Sequence, residues 1–225
     1  MLEVQLPYQT GNGRIMKIKN ITKISSVVAV GALAIGAAAP ASADESDGTT
    51  SLAEVLDISN QAFDSENTDF DILTAAINAV LDAKPESAVA VLADGDTAVT
   101  AFIPTDGAFR KLVWQLGEHD WQTISEQAVF NAVAGLGIDA VETVLLHHVV
   151  VGPAIDLKAA VGADGAALES AAGQTLNVEV GTSLRIDGSY GGFWSARVSL
   201  ARTDLNEGNN QLAHVINNVL VPDLG

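Results

Sequence analysis

The chain has 225 residues, 48% of them hydrophobic, and its 11 Lys and Arg against 28 Asp and Glu give a net charge of −17 at pH 7. So acidic a chain is a poor partner for nucleic acid or for anionic membrane surfaces, because both are bound through clustered Lys and Arg. Cysteine is absent, which excludes disulfides and thiolate chemistry, so the fold must rest on burial in one sizeable core.

Residues 16–43 have the pattern of a secretory signal peptide. A basic start leads into an uncharged run that ends in Ala41-Ser42-Ala43, a sequence of small residues that fits a cleavage site. The strongly apolar part, residues 27–39, is shorter than the about 20 residues that a membrane span needs. We therefore predict cleavage after Ala43 and no stable membrane insertion. Residues 1–15 add no second export signal and are interpreted as a mis-assigned start ahead of Met16.

The first half of the remaining chain is predicted to be mainly helical. Residues 44–50 are acidic, lack an apolar period and are predicted to be a disordered lead-in. Ser51 has capping-box spacing to Glu54, which predicts the first helix. The other predicted elements of this half are helices at 70–81 behind Thr68 or Asp69 as cap, 87–92, 109–116, 125–134 and 139–146, and a buried strand at 98–103.

The second half has short β-rich runs that are separated by glycines and acidic residues. Helices first and strands afterwards indicate an α+β domain rather than alternating βαβ units, and no internal repeat is visible. A single domain over residues 51–224 is predicted. The predicted strands are His148–Val151, Thr175–Val180, Ser183–Ile186, Ala196–Leu200 and Leu212–Val219.

Three segments resemble signature blocks of the fasciclin family. Val99–Phe109, with the sequence VTAFIPTDGAF, is similar to the family's T-V-F-A-P-T-D-x-A-F block. Asn210–Pro222, with the sequence NQLAHVINNVLVP, is similar to N-G-V-x-H-V-I-D-x-V-L-x-P, and between them Leu145–Val150 (LLHHVV) resembles L-Y-H-V-V. The three blocks stand in the family's order at plausible separations.

This resemblance implies one fasciclin domain of the secreted bacterial type. Its implied fold is α+β, with helices packed against a twisted, sandwich-like β-wedge. The first and last blocks are expected to meet inside a shared interior. His147, Gln211 and Asn217 depart from the family's usual Tyr, Gly and Asp, so local contacts there are expected to differ.

Four residues of the blocks are interpreted as structural. Thr105 or Asp106 is predicted to accept the free N–H groups of the helix that follows the first block. His148 and His214 are predicted to be buried, neutral and hydrogen-bonded, whereas His147 is expected to be partly exposed. A metal site is not predicted, because no His-x-x-x-His pair or cysteine accompanies these rings.

No catalytic, cofactor-binding or metal residue is predicted, and the chain is not expected to be an enzyme. It lacks a Gly-x-Ser-x-Gly elbow, and the glycine-rich residues 188–192 have no lysine and no strand-to-helix context. Acidic residues between Asp57 and Asp71 could bind Ca²⁺ weakly, but they miss the EF-hand spacing. Solvated helix ends and caps are the favoured interpretation of these acids.

Two surface features are candidates for contact with a partner. Tyr190, Phe193 and Trp194 lie among glycines at a predicted hairpin tip, where aromatic rings could stack on a sugar or anchor a protein. Alternatively, they fold back over the sheet. Asp204-Leu205 loosely resembles an Asp-Ile pair that contributes to integrin contact in animal fasciclin-domain proteins, and a plain acidic loop is the alternative.

The resemblance implies a secreted adhesion or recognition module, free or loosely associated with the cell surface. Its partner would be an extracellular protein or carbohydrate. The alternative function is an extracellular carbohydrate- or small-ligand-binding protein without an adhesive role. No cofactor is expected.

Overall fold

A computed structural model describes residues 48–58, 62–117 and 124–225, which belong to one structural unit, Ala43–Gly225. The leader predicted over residues 16–43 lies outside the described residues and stays a prediction. Residues 48–50, which were expected to be disordered, instead contact the turn at residues 206–210. The Gly48 N–H donates to the Gly208 carbonyl (3.1 Å), and the Thr50 N–H donates to Asn209 Oδ1 (3.0 Å).

The helices lie mostly in the first half, as predicted. Ser51 and Glu54 form the predicted capping box, and a 3₁₀ helix occupies Ala88–Ala93. No single helix in the described ranges is long and apolar enough to span a membrane, although the helices Glu126–Ala134 and Ile138–His147, bent by 104° to each other, pass that test as a pair. The α-helices are α1 (Leu52–Val55), α2 (Asp71–Ala83), α3 (Asp106–Gln115), α4 (Glu126–Ala134), α5 (Ile138–His147) and α6 (Leu157–Val161).

The strands form two sheets, with the orders β2-β1-β7 and β3-β4-β5-β6. The second sheet is an antiparallel meander, and in the first sheet β1 is antiparallel to β2 but parallel to β7. The strands are β1 (Val99–Pro104), β2 (Val149–Val151), β3 (Ala167–Glu169), β4 (Thr175–Val180), β5 (Leu184–Asp187), β6 (Ala196–Arg197) and β7 (Gln211–Ile216).

The α+β prediction is confirmed, but two short elements, α6 and β3, were not predicted. The five residues of α6 are too few to show a helical period, and its start is set by Asp156, whose side chain accepts the Ala159 N–H (2.6 Å). The three residues of β3 show no buried face, because none of them is fully buried. Neither segment therefore carries the apolar period on which sequence prediction depends.

The parallel pair β1–β7 brings the first and last signature blocks together. Phe102 pairs with His214 and Pro104 pairs with Ile216, and every residue of both strands is buried. The expectation that these blocks meet in the interior is confirmed. Burial on both faces explains why the two strands read as continuous apolar runs rather than alternating ones.

The carboxylate of Asp106 caps a different helix from the one predicted. Thr105 occupies the N-cap position of α3 without a side-chain bond, and Asp106 is the first residue of that helix. The Asp106 side chain is buried and instead accepts the N–H groups of Asp71 (3.2 Å) and Ile72 (3.0 Å) at the start of α2. The predicted α2 caps Thr68 and Asp69 are therefore wrong, since Phe70 takes that position and makes no side-chain cap.

Burial raises the pKa of Asp106 to about 8, although its bond from the Ile72 N–H lowers it. The nearby Asp69 adds to the increase. A neutral carboxyl can still accept the two helix N–H groups, so the cap survives protonation. The first block thus joins α2 and α3 through the carboxyl group of Asp106, whose ionised form is unfavourable in the interior.

A second buried carboxylate, Glu126 at the start of α4, forms an ion pair with Arg110 of α3. Glu126 Oε1 lies 3.1 Å from Arg110 Nη2, and Glu126 Oε2 accepts the Asp64 N–H at 2.6 Å. Burial raises the pKa of Glu126, while the bonds from Asp64 and Arg110 act in the opposite direction. Because both partners are almost completely buried, losing one would leave an uncompensated charge.

Gln211, the departure from the family's Gly, connects the turn before β1 to the start of α1. The two N–H groups of its buried amide nitrogen are shared among the carbonyl oxygens of Val91 (2.8 Å), Asp94 (2.8 Å) and Thr97 (3.2 Å). Its Oε1 accepts the N–H of Leu52 at the start of α1 (2.8 Å). One side chain therefore supplies hydrogen-bond partners both to the carbonyl groups of the turn before β1 and to an N–H group of α1.

We predict that Gln211→Leu lowers the free energy of unfolding by about 3 kcal/mol, because Leu52 and the turn carbonyls lose their buried partner. Urea denaturation followed by circular dichroism measures the change. Gln127→Leu, on the exposed face of α4, is the control and should change stability by no more than about 0.5 kcal/mol. Equal effects of the two substitutions would contradict the role given to Gln211.

We predict that stability falls as the pH rises through the folded pKa of Asp106. That pKa is raised above the unfolded value of 3.8, so the contribution is complete below pH 3.8 and is lost as the pH approaches 8. Between pH 7 and 8.5 the free energy of unfolding should fall by about 1 kcal/mol more in the native chain than in Asp106→Asn, which cannot ionise.

The same pH window separates the titration of Asp106 from that of His147 and His148. The pKa values of His147 and His148 are lowered, so these rings titrate below pH 7. Asp96→Asn, on an exposed turn, is the matched control and should keep the native pH slope. If Asp106→Asn also keeps that slope, Asp106 is ionised in the folded state and the assignment is wrong.

Candidate functional site

His147 is completely buried, which contradicts the expectation of partial exposure. It ends α5 beneath the loop that follows β5, where its Nε2 lies 2.8 Å from the Gly188 carbonyl and its Nδ1 lies 3.1 Å from Ser170 Oγ. Burial lowers the pKa of His147. The ring therefore holds this loop against the core and offers no free nitrogen for chemistry.

His148, in the neighbouring position, is also buried and bonded through both nitrogens. Its Nδ1 donates to the Val144 carbonyl (2.7 Å), and its Nε2 accepts the Leu220 N–H (2.9 Å). Burial lowers the pKa of His148 to about 4, so the ring is neutral at pH 7. It thereby ties α5 to the segment after β7.

His214 and the pair Asp204-Leu205 form one internal group beside β7. His214 Nε2 donates to the Ile155 carbonyl (2.7 Å), and its Nδ1 accepts the Asp204 N–H (3.4 Å). The Asp204 carboxylate accepts the Leu157 N–H (2.8 Å), and Leu205 pairs with Ala213 and packs partly buried against the core. These internal contacts favour a structural role, and partner contact through Asp204-Leu205 stays a prediction.

The three aromatic residues of the predicted hairpin tip do not form one exposed patch. They lie between the paired strands β5 and β6, and Tyr190 and Trp194 are 59% and 46% exposed. Phe193 instead packs half-buried against the main core. Two rings therefore face solvent and one folds back, and partner contact through these residues stays a prediction.

Backbone bonds hold the exposed rings in place. The Tyr190 N–H donates to the Val221 carbonyl (2.8 Å), and the Ser189 hydroxyl donates to the Trp194 carbonyl (3.2 Å). Gly191 and Gly192 have φ values of 69° and 83°, which are accessible to glycine without strain. A fixed loop needs less ordering when it binds, so its exposed rings can serve as anchors.

Trp114 of α3 joins this surface and was not identified from the sequence. Its ring centroid lies 5.6 Å from that of Trp194 at an interplanar angle of 42°, and it is 46% exposed. Helical spacing places Trp114 on the opposite side of α3 from the core residues Phe109 and Leu112. The sequence signal available for Trp114 was its position outside the apolar face of α3. Only the tertiary structure shows that its ring contacts Trp194.

A shallow polar groove of about 200 Å³ lies beside Tyr190. One end is shaped by Gln174, whose amide group bonds in both directions to the Asp223 backbone at 2.9 Å. Hydroxyl, amide and carboxylate groups next to an exposed ring can bind sugar hydroxyls. The groove is lined by Gln174, Thr175, Asn177, Asp187, Gly188, Ser189 and Tyr190.

Acidic side chains come together near the start of α2, where the sequence left weak Ca²⁺ binding as an alternative. Asp64, Asp69 and Glu126 form one group, and Asp69, Asp71 and Asp106 form another, each with carboxylate oxygens within 4.8 Å of one another. Oxygen groups of this kind suit a hard cation. However, Glu126 is already paired with Arg110, and Asp106 caps α2.

Comparison with known proteins identifies the domain. A fasciclin domain model matches residues 72–222, and no curated protein sequence matches the chain. Among solved structures, the chain is similar to a FAS1 domain pair from the insect cell adhesion molecule fasciclin I, with 17% identity and a TM-score of 0.39. The similarity covers 68% of this chain and 44% of that one.

Fasciclin domains are often adhesion modules, generally without enzymatic activity, and are typically extracellular or at the cell surface. The matched range extends over most of the described residues and contains the three signature blocks. The chain belongs to the fasciclin domain family.

Proposed function

We propose that this protein is a secreted adhesion or recognition module that binds an extracellular protein or carbohydrate through Tyr190, Trp194 and Trp114. The observation that carries the proposal is the pair of exposed tryptophans beside an exposed tyrosine, on a loop fixed by backbone bonds. Contact sites on proteins are enriched in Trp and Tyr. These large rings lose little conformational freedom on binding.

The surroundings of the rings support a binding role over a packing role. Phe193 in the same loop contributes its ring to the core, whereas Tyr190 and Trp194 leave about half of their area in water. Solvent-exposed aromatic area contributes favourable free energy only when a partner covers it and removes it from water. The loop is therefore supported from below by one ring and presents the others outward.

A non-enzymatic role agrees with the state of the histidines. His147, His148 and His214 each use both ring nitrogens in internal contacts, and all three rings are buried. A general base must reach the proton that it abstracts in a bound substrate. These rings are placed to connect backbone segments, which supports recognition rather than turnover.

Secretion is the expected setting of this function. The leader pattern of residues 16–43 ends in Ala41-Ser42-Ala43, and the chain has no cysteine that an extracellular environment could oxidise. A free or loosely surface-associated protein fits this pattern. Aromatic contact surfaces on such a protein are available to matrix polymers and to other cells.

A second candidate function is capture of a carbohydrate or small polar ligand without an adhesive role. The polar groove beside Tyr190 favours this alternative, because its amide, hydroxyl and carboxylate groups converge next to an exposed ring. The groove is open and shallow, so a bound ligand would remain largely in contact with water. A soluble oligosaccharide could occupy it without linking cells.

We predict that Tyr190→Ala with Trp194→Ala weakens retention of cells and matrix polymers on immobilised protein by at least about tenfold, since two anchor rings are lost. Phe193 is left unchanged because its removal would damage the core. Retention is measured against Leu200→Ala, which removes another exposed apolar side chain. Unaltered retention by the folded double variant would rule out this surface.

Adhesion and simple ligand capture differ in whether the protein retains cells and in whether it binds short soluble sugars. If the protein is an adhesion module, cells bind to protein-coated beads and the beads are linked by added cells. If it is a capture protein, glycan arrays show binding of short soluble sugars while cells pass over the coated surface. The second result would replace the adhesive function with the alternative.

A further inference from the structure

We infer that the exposed tryptophan pair and a neighbouring basic cluster form a binding site for an anionic polysaccharide. The basic cluster consists of Lys111, Arg185 and Arg197. The inference rests on the proposed function and adds the chemical class of the partner. An anionic partner is not expected from the net negative charge of the chain, but the three cations of the basic cluster are concentrated on one face.

The pairing of β5 with β6 brings the two arginines together. Arg185 lies directly opposite Arg197, and the flanking residues Leu184 and Ile186 point into the core. Residues opposite each other in an antiparallel pair have Cβ atoms about 5 Å apart. The two guanidinium groups therefore extend from the outer face of the same sheet.

Lys111 reaches this face from α3. Its Nζ donates to the Asn217 carbonyl (2.8 Å), and the side chain of the same Asn217 accepts the Arg197 N–H (2.8 Å). Burial, and after it the charge of Arg197, lower the pKa of Lys111. A lysine from a helix and two arginines from a sheet thus share one small region.

The basic cluster lacks acidic partners in the described part of the chain. The ion pairs found there involve Lys84 and Arg110, and neither of them involves a member of the cluster. Glu179 lies opposite Arg185 on β4, but the ion pairs of the described residues do not include these two side chains. Like charges directly opposite each other destabilise a sheet, and no carboxylate of the described residues lies within ion-pair distance of either arginine.

The concentration of cations is unusual for this sequence. Only seven Lys and Arg follow residue 43, against 27 Asp and Glu, and three of the seven form the basic cluster. Elsewhere Lys84 is paired with acids of α5, and Arg110 is buried with Glu126. A chain with so many acidic residues nevertheless leaves these three cations together without ion pairs among the described residues.

The tryptophan pair lies next to the basic cluster, because each tryptophan is close in sequence to a residue of the cluster or to a residue that contacts it. Trp114 lies one helical turn after Lys111 on α3, so both project from neighbouring positions of that helix. Trp194 directly precedes Ser195, whose Oγ accepts a bond from Arg185 Nη1 (3.3 Å). Aromatic faces therefore stand beside unpaired cations in a continuous stretch of surface.

This combination matches a polymer of carboxylated or sulfated sugars. The tryptophan faces can stack on the apolar faces of pyranose rings, and arginine binds carboxylate or sulfate groups in bidentate fashion. Three cations are few for nucleic acid, whose affinity comes from many phosphate contacts along a basic groove. They also fall short of the four to eight that typify sites for anionic lipid.

The test measures binding of the purified chain to immobilised polygalacturonate and dextran sulfate, with neutral dextran as the uncharged control. We expect binding to at least one anionic polymer, roughly tenfold weaker at 200 mM than at 50 mM salt, and none to dextran. Arg185→Gln with Arg197→Gln should reduce affinity by about tenfold. Lys158→Gln, an exposed cation on α6, should leave affinity unchanged.

Thermal unfolding separates binding from a structural role. The arginine double variant should melt at or above the native temperature, because it removes a like-charge pair. A lower melting temperature together with unchanged affinity would assign these residues to the fold and overturn the inference. An unchanged melting temperature together with a reduced affinity for the anionic polymer supports the inference.

Further outcomes distinguish this inference from the proposed function. If the native chain retains cells through Tyr190 and Trp194 but binds neither anionic polymer, the adhesive function stands and the polysaccharide assignment fails. Equal or tighter binding of single-stranded DNA or phosphatidylserine vesicles, with the same dependence on the arginines, would also overturn it. If cell retention is lost in the aromatic variant alone while polymer binding needs the arginines, both assignments are supported.

Discussion

The parallel pairing of β1 with β7 is the constraint on which the rest of the structure depends. Strands over a hundred residues apart in sequence lie side by side, and both are buried along their whole length. A parallel pair cannot be closed by a tight turn, so every intervening element must be placed around it. Helices α1 to α5 pack in one hydrophobic cluster, whereas α6 packs in a second cluster with the meander β3–β6, which is joined to β7 through the bridge Val198–Ile216.

Buried polar side chains fix the elements around this pair. Asp106 binds the start of α2, Gln211 binds α1 and the turn before β1, and His148 binds the segment after β7. Each satisfies backbone groups that would otherwise be buried without a partner, at a cost of about 1–3 kcal/mol per group. Residues whose chemistry resembles that of an active site are therefore used to hold backbone segments together.

Because the signature blocks are used in the interior, the proposed recognition of a partner would use surfaces outside them. Trp194 lies on the β5–β6 loop and Trp114 on α3, at positions that the blocks do not include. The fold brings these rings together with Lys111, Arg185 and Arg197 by packing α3 near β6. A framework of this kind can keep its core while its outer residues change partner.

The sequence by itself determined the α+β class, the fasciclin resemblance, most helices and strands, and the hairpin that carries Tyr190 and Trp194. These features follow from apolar period, turn residues and blocks that are local in the chain. Only the tertiary structure decided that Asp106 caps α2, that His147 is buried and that Trp114 meets Trp194. The reason is physical: these contacts join residues far apart in sequence, and their partners are chosen by packing around the β1–β7 pair, which no local pattern records.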